Sequence, residues 1–64
     1  MLTFDGKIYI TDKEAAKRYG YSAFWFQKQR SKHIGPPYMR LFNKIYYEQD
    51  KLDEWFRKHM KVVD

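Results

Sequence analysis

Thr11-Asp12-Lys13-Glu14-Ala15-Ala16-Lys17-Arg18-Tyr19-Gly20-Tyr21-Ser22-Ala23-Phe24-Trp25-Phe26-Gln27-Lys28-Gln29-Arg30-Ser31 reads as two helices and the turn between them. Thr11 and Glu14 have the S/T-x-x-E spacing of a capping box, in which the Thr11 hydroxyl accepts from the Glu14 amide and the carboxylate reaches back. A helix over about Asp12 to Tyr19 follows, with Ala15, Ala16 and Tyr19 on one face. Gly20 stands where a helix closes in the left-handed conformation. Ser22 is then a good N-cap for a second helix, Ala23 to about Ser31. Helices joined by so short a turn cross steeply and need small side chains where they approach, which Ala15 and Ala16 supply. A small residue in the first helix, a glycine in the turn and an apolar anchor, Phe26, in the second is helix-turn-helix spacing. Gln29 occupies a position where an apolar residue is expected to continue the inward stripe.

Outward from this core, Gly6-Lys7-Ile8-Tyr9-Ile10 predicts a short strand, introduced by the turn residues Asp5-Gly6. Gly35-Pro36-Pro37 ends the second helix. Two strand-like runs, 38–42 and 45–47, flank Asn43-Lys44, a connection short enough for a tight hairpin. The last helix runs over about 49–60, with Leu52, Trp55, Phe56 and His59 as one stripe. Its acids Asp50, Asp53 and Glu54 come early and Arg57, Lys58 and Lys61 late, as the helix dipole favours. The expected order is β-α-α-β-β-α. That is an α+β fold, a small winged helix-turn-helix, forming one domain over residues 1–64. The helix-turn-helix spans about 12–31 and the wing about 38–47. Its expected core is Ile8, Ile10, Ala15, Tyr19, Tyr21, Phe26, Met39, Leu41, Ile45, Tyr47, Leu52, Trp55 and Phe56.

Composition excludes several classes. A chain of 64 residues buries only about 60% of its unfolded surface, which leaves no room for a deep catalytic cleft. No cysteine is present, so neither disulfides nor thiolate metal sites are available. His33 and His59 are far apart in sequence. Neither a metal, a cofactor nor an enzymatic activity is expected. No apolar run approaches the ~20 residues that span a membrane, and the N-terminus lacks the order of a signal peptide. A soluble cytoplasmic protein is the expectation.

The net charge is +5, and its placement matters more than its size. From Ala15 to Tyr47 there is no acid, while Lys17, Arg18, Lys28, Arg30, Lys32, Arg40 and Lys44 give seven positive charges. The flanks hold six cations against eight acids, a balance of −2. A polyanion is drawn to the middle and repelled by the ends.

Several segments together resemble the excisionase-type, MerR-like helix-turn-helix domains found in phage excisionases and AlpA-like prophage regulators. They are Ile10-Thr11-x-x-Glu14-Ala15-Ala16, Gly20-x-Ser22, Gly35-Pro36-Pro37-Tyr38, Tyr47 and Leu52-x-x-Trp55-Phe56. The resemblance covers roughly residues 8–57. It implies a DNA-binding protein of a phage, plasmid or integrated element, working in a bacterial cell or phage-infected host. The second helix would enter the major groove and the wing would reach the adjacent minor groove. Excisionases of this kind bind double-stranded DNA in several cooperating copies, bend it, and redirect a site-specific integrase. AlpA-like regulators act instead on transcription. The chain departs from the family pattern at the wing tip, Phe42-Asn43-Lys44 in place of glycine and arginine, and in the aromatic run Ala23-Phe24-Trp25-Phe26.

With Phe26 inward, a wheel at ~100° per residue sets Phe24, Lys28 and Ser31 on the opposite face, with Gln27 beside them. Lys28 suits a phosphate or a guanine edge, Gln27 an adenine, and Phe24 a thymine methyl. Ser22, Ala23 and the first amides of the helix suit a phosphate. Arg30 and Lys32 extend the basic surface. Arg40, Asn43 and Lys44 serve the wing. Phe24, Tyr46 and the tail 61–64 are candidate contacts between copies. A protein-docking module for an acidic partner is the reading from another class; RNA binding lacks a stacking platform on a sheet face.

Overall fold

Asp5 and Gly6 adopt φ of 55° and 75° and turn β1 (Leu2–Phe4) back antiparallel to β2 (Lys7–Ile10). Two successive positive φ values suit a two-residue I′ hairpin, for which Asp-Gly is a preferred pair. In this computed structural model, which describes residues 1–60, the order is therefore β-β-α-α-β-β-α. The expected order lacked β1. The molecule is a small α+β domain with three helices and a four-stranded antiparallel sheet, ordered β1-β2-β4-β3. Lys61 and the tail 61–64, expected to close the last helix and to touch other copies, lie outside the described residues.

The first two helices form where their caps place them. α1 (Asp12–Tyr19) opens with the complete Thr11–Glu14 capping box and closes on Gly20 at φ 77°. α2 (Ala23–Ser31) is capped by the Ser22 hydroxyl, which accepts from the Trp25 amide at 3.2 Å. Beyond it, the Ile34 amide donates to the Gln29 carbonyl at 3.1 Å, and the chain turns through His33 at φ 57°. Gly35, at φ 97°, lies so close that a Cβ there would stand 2.8 Å from the Gln29 Cβ. This explains the polar residue at Gln29: its half-buried stem is covered by the turn, not by the core.

β3 (Met39–Leu41) and β4 (Lys44–Glu48) follow, then α3 (Gln49–His59). α1 and α3 pack across β2 and β4. Ile10, Ala15, Ala16, Phe26, Tyr47, Leu52 and Phe56 are buried together, with Tyr19, Trp25, Ile45 and Trp55 half-buried against them. The Tyr19 and Phe56 rings stack at 4.1 Å, and the Phe26 and Tyr47 rings lie 5.4 Å apart.

Four residues expected in the core are exposed: Ile8, Tyr21, Met39 and Leu41. Ile8 pairs with Thr3 of the edge strand, away from the rungs that β2 shares with β4. Tyr21 caps the core from outside, stacked on Trp25 at 4.7 Å. The hairpin turns at Phe42-Asn43, so Met39 pairs with Tyr46 and Leu41 with Lys44. Directly paired residues share a face, and alternation sets Tyr46 opposite Ile45 and Tyr47. Met39 and Leu41 consequently point away from the helices. With Leu2, Phe4, Tyr46 and the buried Tyr9 they line a groove of about 390 Å³ on the uncovered sheet face.

His59, which its spacing puts on the stripe of the last helix with Leu52, Trp55 and Phe56, is exposed and stacks on Trp55 at 4.0 Å. Among the described residues, no helix is long and apolar enough to cross a membrane.

Candidate nucleic-acid interface

Three elements have a single backbone neighbour among the described residues: α2 approaches α1, β3 approaches β4 and β1 approaches β2. Of these, α2 and β3 lie within the acid-free block. Phe26 is the fully buried side chain that ties α2 to the core. On the side away from it, Phe24, Gln27, Lys28, Ser31 and Lys32 are exposed. Ala23 is half-buried at the start of the helix, and the exposed Ser22 has its hydroxyl oxygen occupied by the cap.

Arg30 departs from this surface. Its guanidinium donates to both oxygens of Asp12, at 2.6 and 2.8 Å, and to the Tyr47 hydroxyl at 2.6 Å. The Arg30 and Asp12 side chains are only 15% and 17% exposed. The guanidinium also lies 5.6 Å from the Tyr38 ring centre. Expected as an extension of the basic face, Arg30 is instead engaged inside the fold, joining α1, α2 and β4. Its own charged state is reinforced, first by the Asp12 hydrogen bonds and against the cost of burial.

A second bracket lies on the far side of α1. Arg18 donates to Asp53 of α3 at 3.0 and 2.7 Å, and the Tyr19 hydroxyl donates to the same carboxylate. The Arg18 hydrogen bonds hold Asp53 below its ordinary 3.8, against partial burial. Burial, then the bond to Asp53, pushes Tyr19 up to about 12 from 10.0. A depressed carboxylate contributes stability that is complete above its unfolded value and lost as pH falls through the lower, folded one. A raised phenol contributes stability that is complete below 10.0 and lost as pH rises toward about 12. We expect Asp53→Asn to flatten the acid limb of the melting temperature below pH 4, the ordinary carboxylate range. Parallel melting curves for parent and variant from pH 5 to pH 2 would count against the bracket.

In the hairpin, Arg40, Asn43 and Lys44 are exposed, as is Phe42 between them. Among the described residues, Lys17, Lys28, Lys32, Arg40 and Lys44 form no ion pair, in contrast to Arg18 and Arg30. The seven cations of the block thus divide into two that brace the fold and five that leave their charge to the surroundings. Lys28 and Lys32 stand on α2, and Arg40 and Lys44 on the hairpin.

From sequence, Phe42 stood out only as part of an atypical wing tip and not as a contact residue, and the apolar sheet face was not expected. Phe42 stands in a two-residue connection, and an apolar residue there is itself the signal. The sheet face follows only once Asp5-Gly6 is read as a hairpin turn. Among the described residues, no group of three His, Asp or Glu side chains is placed to hold a metal ion. Comparison with family models, curated proteins and solved structures finds no match.

Proposed function

We propose that the domain is a winged helix-turn-helix that binds double-stranded DNA in a sequence-specific, cooperative manner. α2 would enter the major groove and the β3–β4 hairpin would serve as the wing. One observation carries this reading: Lys28, Lys32, Arg40 and Lys44, which form no ion pair among the described residues, stand on α2 and the hairpin, whose α2 and β3 each have a single backbone neighbour there. Phosphates reward such cations because each contact releases condensed counterions. In this reading Gln27 and Phe24 address base edges, Lys28 and Lys32 the backbone, and Ser22 and Ala23 sit where the helix N-terminus meets a phosphate.

A module of this size covers about 600–1,000 Å² on DNA, so tight binding calls for adjacent copies. Tyr46, in the sheet-face groove, and exposed Phe24 are candidate side chains for contacts between copies. The role we assign is that of an excisionase, a recombination directionality factor working beside an integrase in the bacterial cytoplasm. An AlpA-like transcriptional regulator is the alternative, and neither involves catalysis. The apolar sheet face favours a second reading, a protein-docking module, in which that face and the wing meet another protein.

The test is a gel-shift titration with duplexes from the protein's genomic neighbourhood, random duplex and single-stranded RNA, at two salt concentrations. Ladders on a local duplex that weaken with salt support the proposal; equal, weak binding to all three sinks it. Lys28→Ala should weaken duplex binding about 5–10-fold and lower the log–log salt slope by about 0.9. A variant with unchanged affinity and slope would take Lys28 out of the interface.

A further inference from the structure

Phe42 is an apolar side chain in the least comfortable place the hairpin offers. It is 89% exposed, the highest value among the exposed large apolar side chains of the described residues. Its φ is 56°, while Asn43, the other central residue of the turn, is not among the positive-φ residues. A positive φ at the first central position alone is the II′ pattern, which takes glycine there. The other hairpin uses Asp5-Gly6 and so avoids an apolar residue in that conformation. In Phe42 a Cβ is forced into the left-handed region, and a phenyl ring is held in water without a packing partner. Among the described residues the ring packs into no core, and both features are explained by a contact made outside the chain.

The surroundings narrow what that contact is. The ring stands at the end of a hairpin whose outer strand, β3, touches only β4. Arg40 and Lys44 flank it, both exposed and without an acidic partner among the described residues. An apolar tip between two free cations suits a ligand that is anionic on its outside and apolar, flat and stacked within. A DNA duplex has that layering, with phosphates at the rims of its minor groove and base pairs beneath. The base of the hairpin is also fixed relative to α2, since Arg30 of α2 hydrogen-bonds Tyr47 of β4.

Resting on the DNA-binding reading above, we propose that Phe42 is a wedge: it enters the minor groove, inserts between two base pairs and kinks the duplex, while Arg40 and Lys44 hold the bordering phosphates. Side chains such as Phe and Leu open base steps in this way, and the unstacking cost is offset by the extra surface the bent duplex offers. Pyrimidine–purine steps unstack most readily and are the expected point of entry.

The experiment uses the whole chain with a bound duplex carrying 2-aminopurine at successive steps, and a second duplex with donor and acceptor dyes at its ends. With the parent protein, fluorescence should rise several-fold at one step, and the end-to-end distance should shorten. Phe42→Gly should abolish both signals. It should still bind duplex within about ten-fold of the parent, with an unchanged salt slope, because the cations remain. It should also melt no lower than the parent, since glycine suits this φ. Phe42→Leu should retain part of the bend. Unchanged fluorescence and bend in Phe42→Gly, with duplex binding intact in both proteins, would overturn the wedge and leave the DNA-binding reading standing. No duplex binding by the parent would overturn both. A DNA-free dimer of the parent that Phe42→Gly dissolves, with any bend unaffected, would reassign Phe42 to a contact between copies.

Discussion

Phe26→Ala is expected to bring the domain to the edge of unfolding at room temperature. Phe26 has no solvent exposure, and its ring meets Trp25 at 4.9 Å, Tyr47 at 5.4 Å and Phe56 at 6.3 Å. Truncating a buried phenylalanine costs about 3–5 kcal/mol, from lost transfer energy and from the cavity left behind. A domain of this size has a total stability of about 3–10 kcal/mol, so the loss removes about a third of it or more, and all of it at the lower end of that range. The site also cannot collapse easily. The backbone of α2 approaches only α1, and it is Phe26, with the half-buried Trp25, that carries the helix onto Tyr47 and Phe56. Urea unfolding followed by circular dichroism measures the loss directly. A cost under about 1 kcal/mol would mean that the neighbouring rings close over the gap, contrary to the packing described.

Arg30→Ala is expected to cost about 2–3 kcal/mol, below the 3–5 given for fully buried pairs because both partners keep some exposure. The loss has two sources. Asp12 keeps a half-buried charge without its counter-ion, and the Tyr47 hydroxyl loses its partner beneath the sheet. A double-mutant cycle with Asp12→Ala should give a coupling of about 1–2 kcal/mol, since the two residues share one network. Duplex binding by the folded fraction should change little. The opposite pattern, with unchanged melting and much weaker binding, would return Arg30 to the phosphate-facing surface.

Both helix boundaries in the central stretch were legible from local chemistry. Thr11, Glu14, Gly20 and Ser22 each act within three or four residues of themselves, so their hydrogen bonds can be read without the fold. What depends on remote partners could not be read this way. Arg30 is engaged by Asp12, 18 residues earlier, and Arg18 by Asp53, 35 residues later. A count of unopposed charge along the chain treats both as free. The charge block was a sound guide to where cations lie, and a poor one to which of them stay available.

The sheet was harder for a different reason. Leu2-Thr3-Phe4 is too short to display alternation, so Asp5-Gly6 read as punctuation before a strand and not as the turn between two. At the other hairpin, the connection is Phe42-Asn43, one residue earlier than Asn43-Lys44. Moving a two-residue turn by one residue shifts the pairing by two, so with either turn Met39 and Leu41 share a face with Tyr46 and lie opposite Ile45 and Tyr47. All four cannot be core together, and apolar character marked the strands without saying which side is covered. The outward set of α2 was accessible to a wheel, since one buried anchor, Phe26, fixes the phase of the whole helix.

Among the described residues the sheet ends in two unpaired edges, β1 and β3, beside an apolar face that no helix covers. Free edges and apolar faces invite other chains, while the net charge of +5 holds identical copies apart. That repulsion reaches only as far as the ionic atmosphere allows, about 8 Å at physiological ionic strength. Added salt therefore acts in two opposed ways on this molecule. It loosens any hold on a polyanion and at the same time lowers the barrier to self-association. Dilute buffer is expected to keep the protein dispersed and concentrated buffer to favour contact between copies, a difference that sedimentation at two salt concentrations would read.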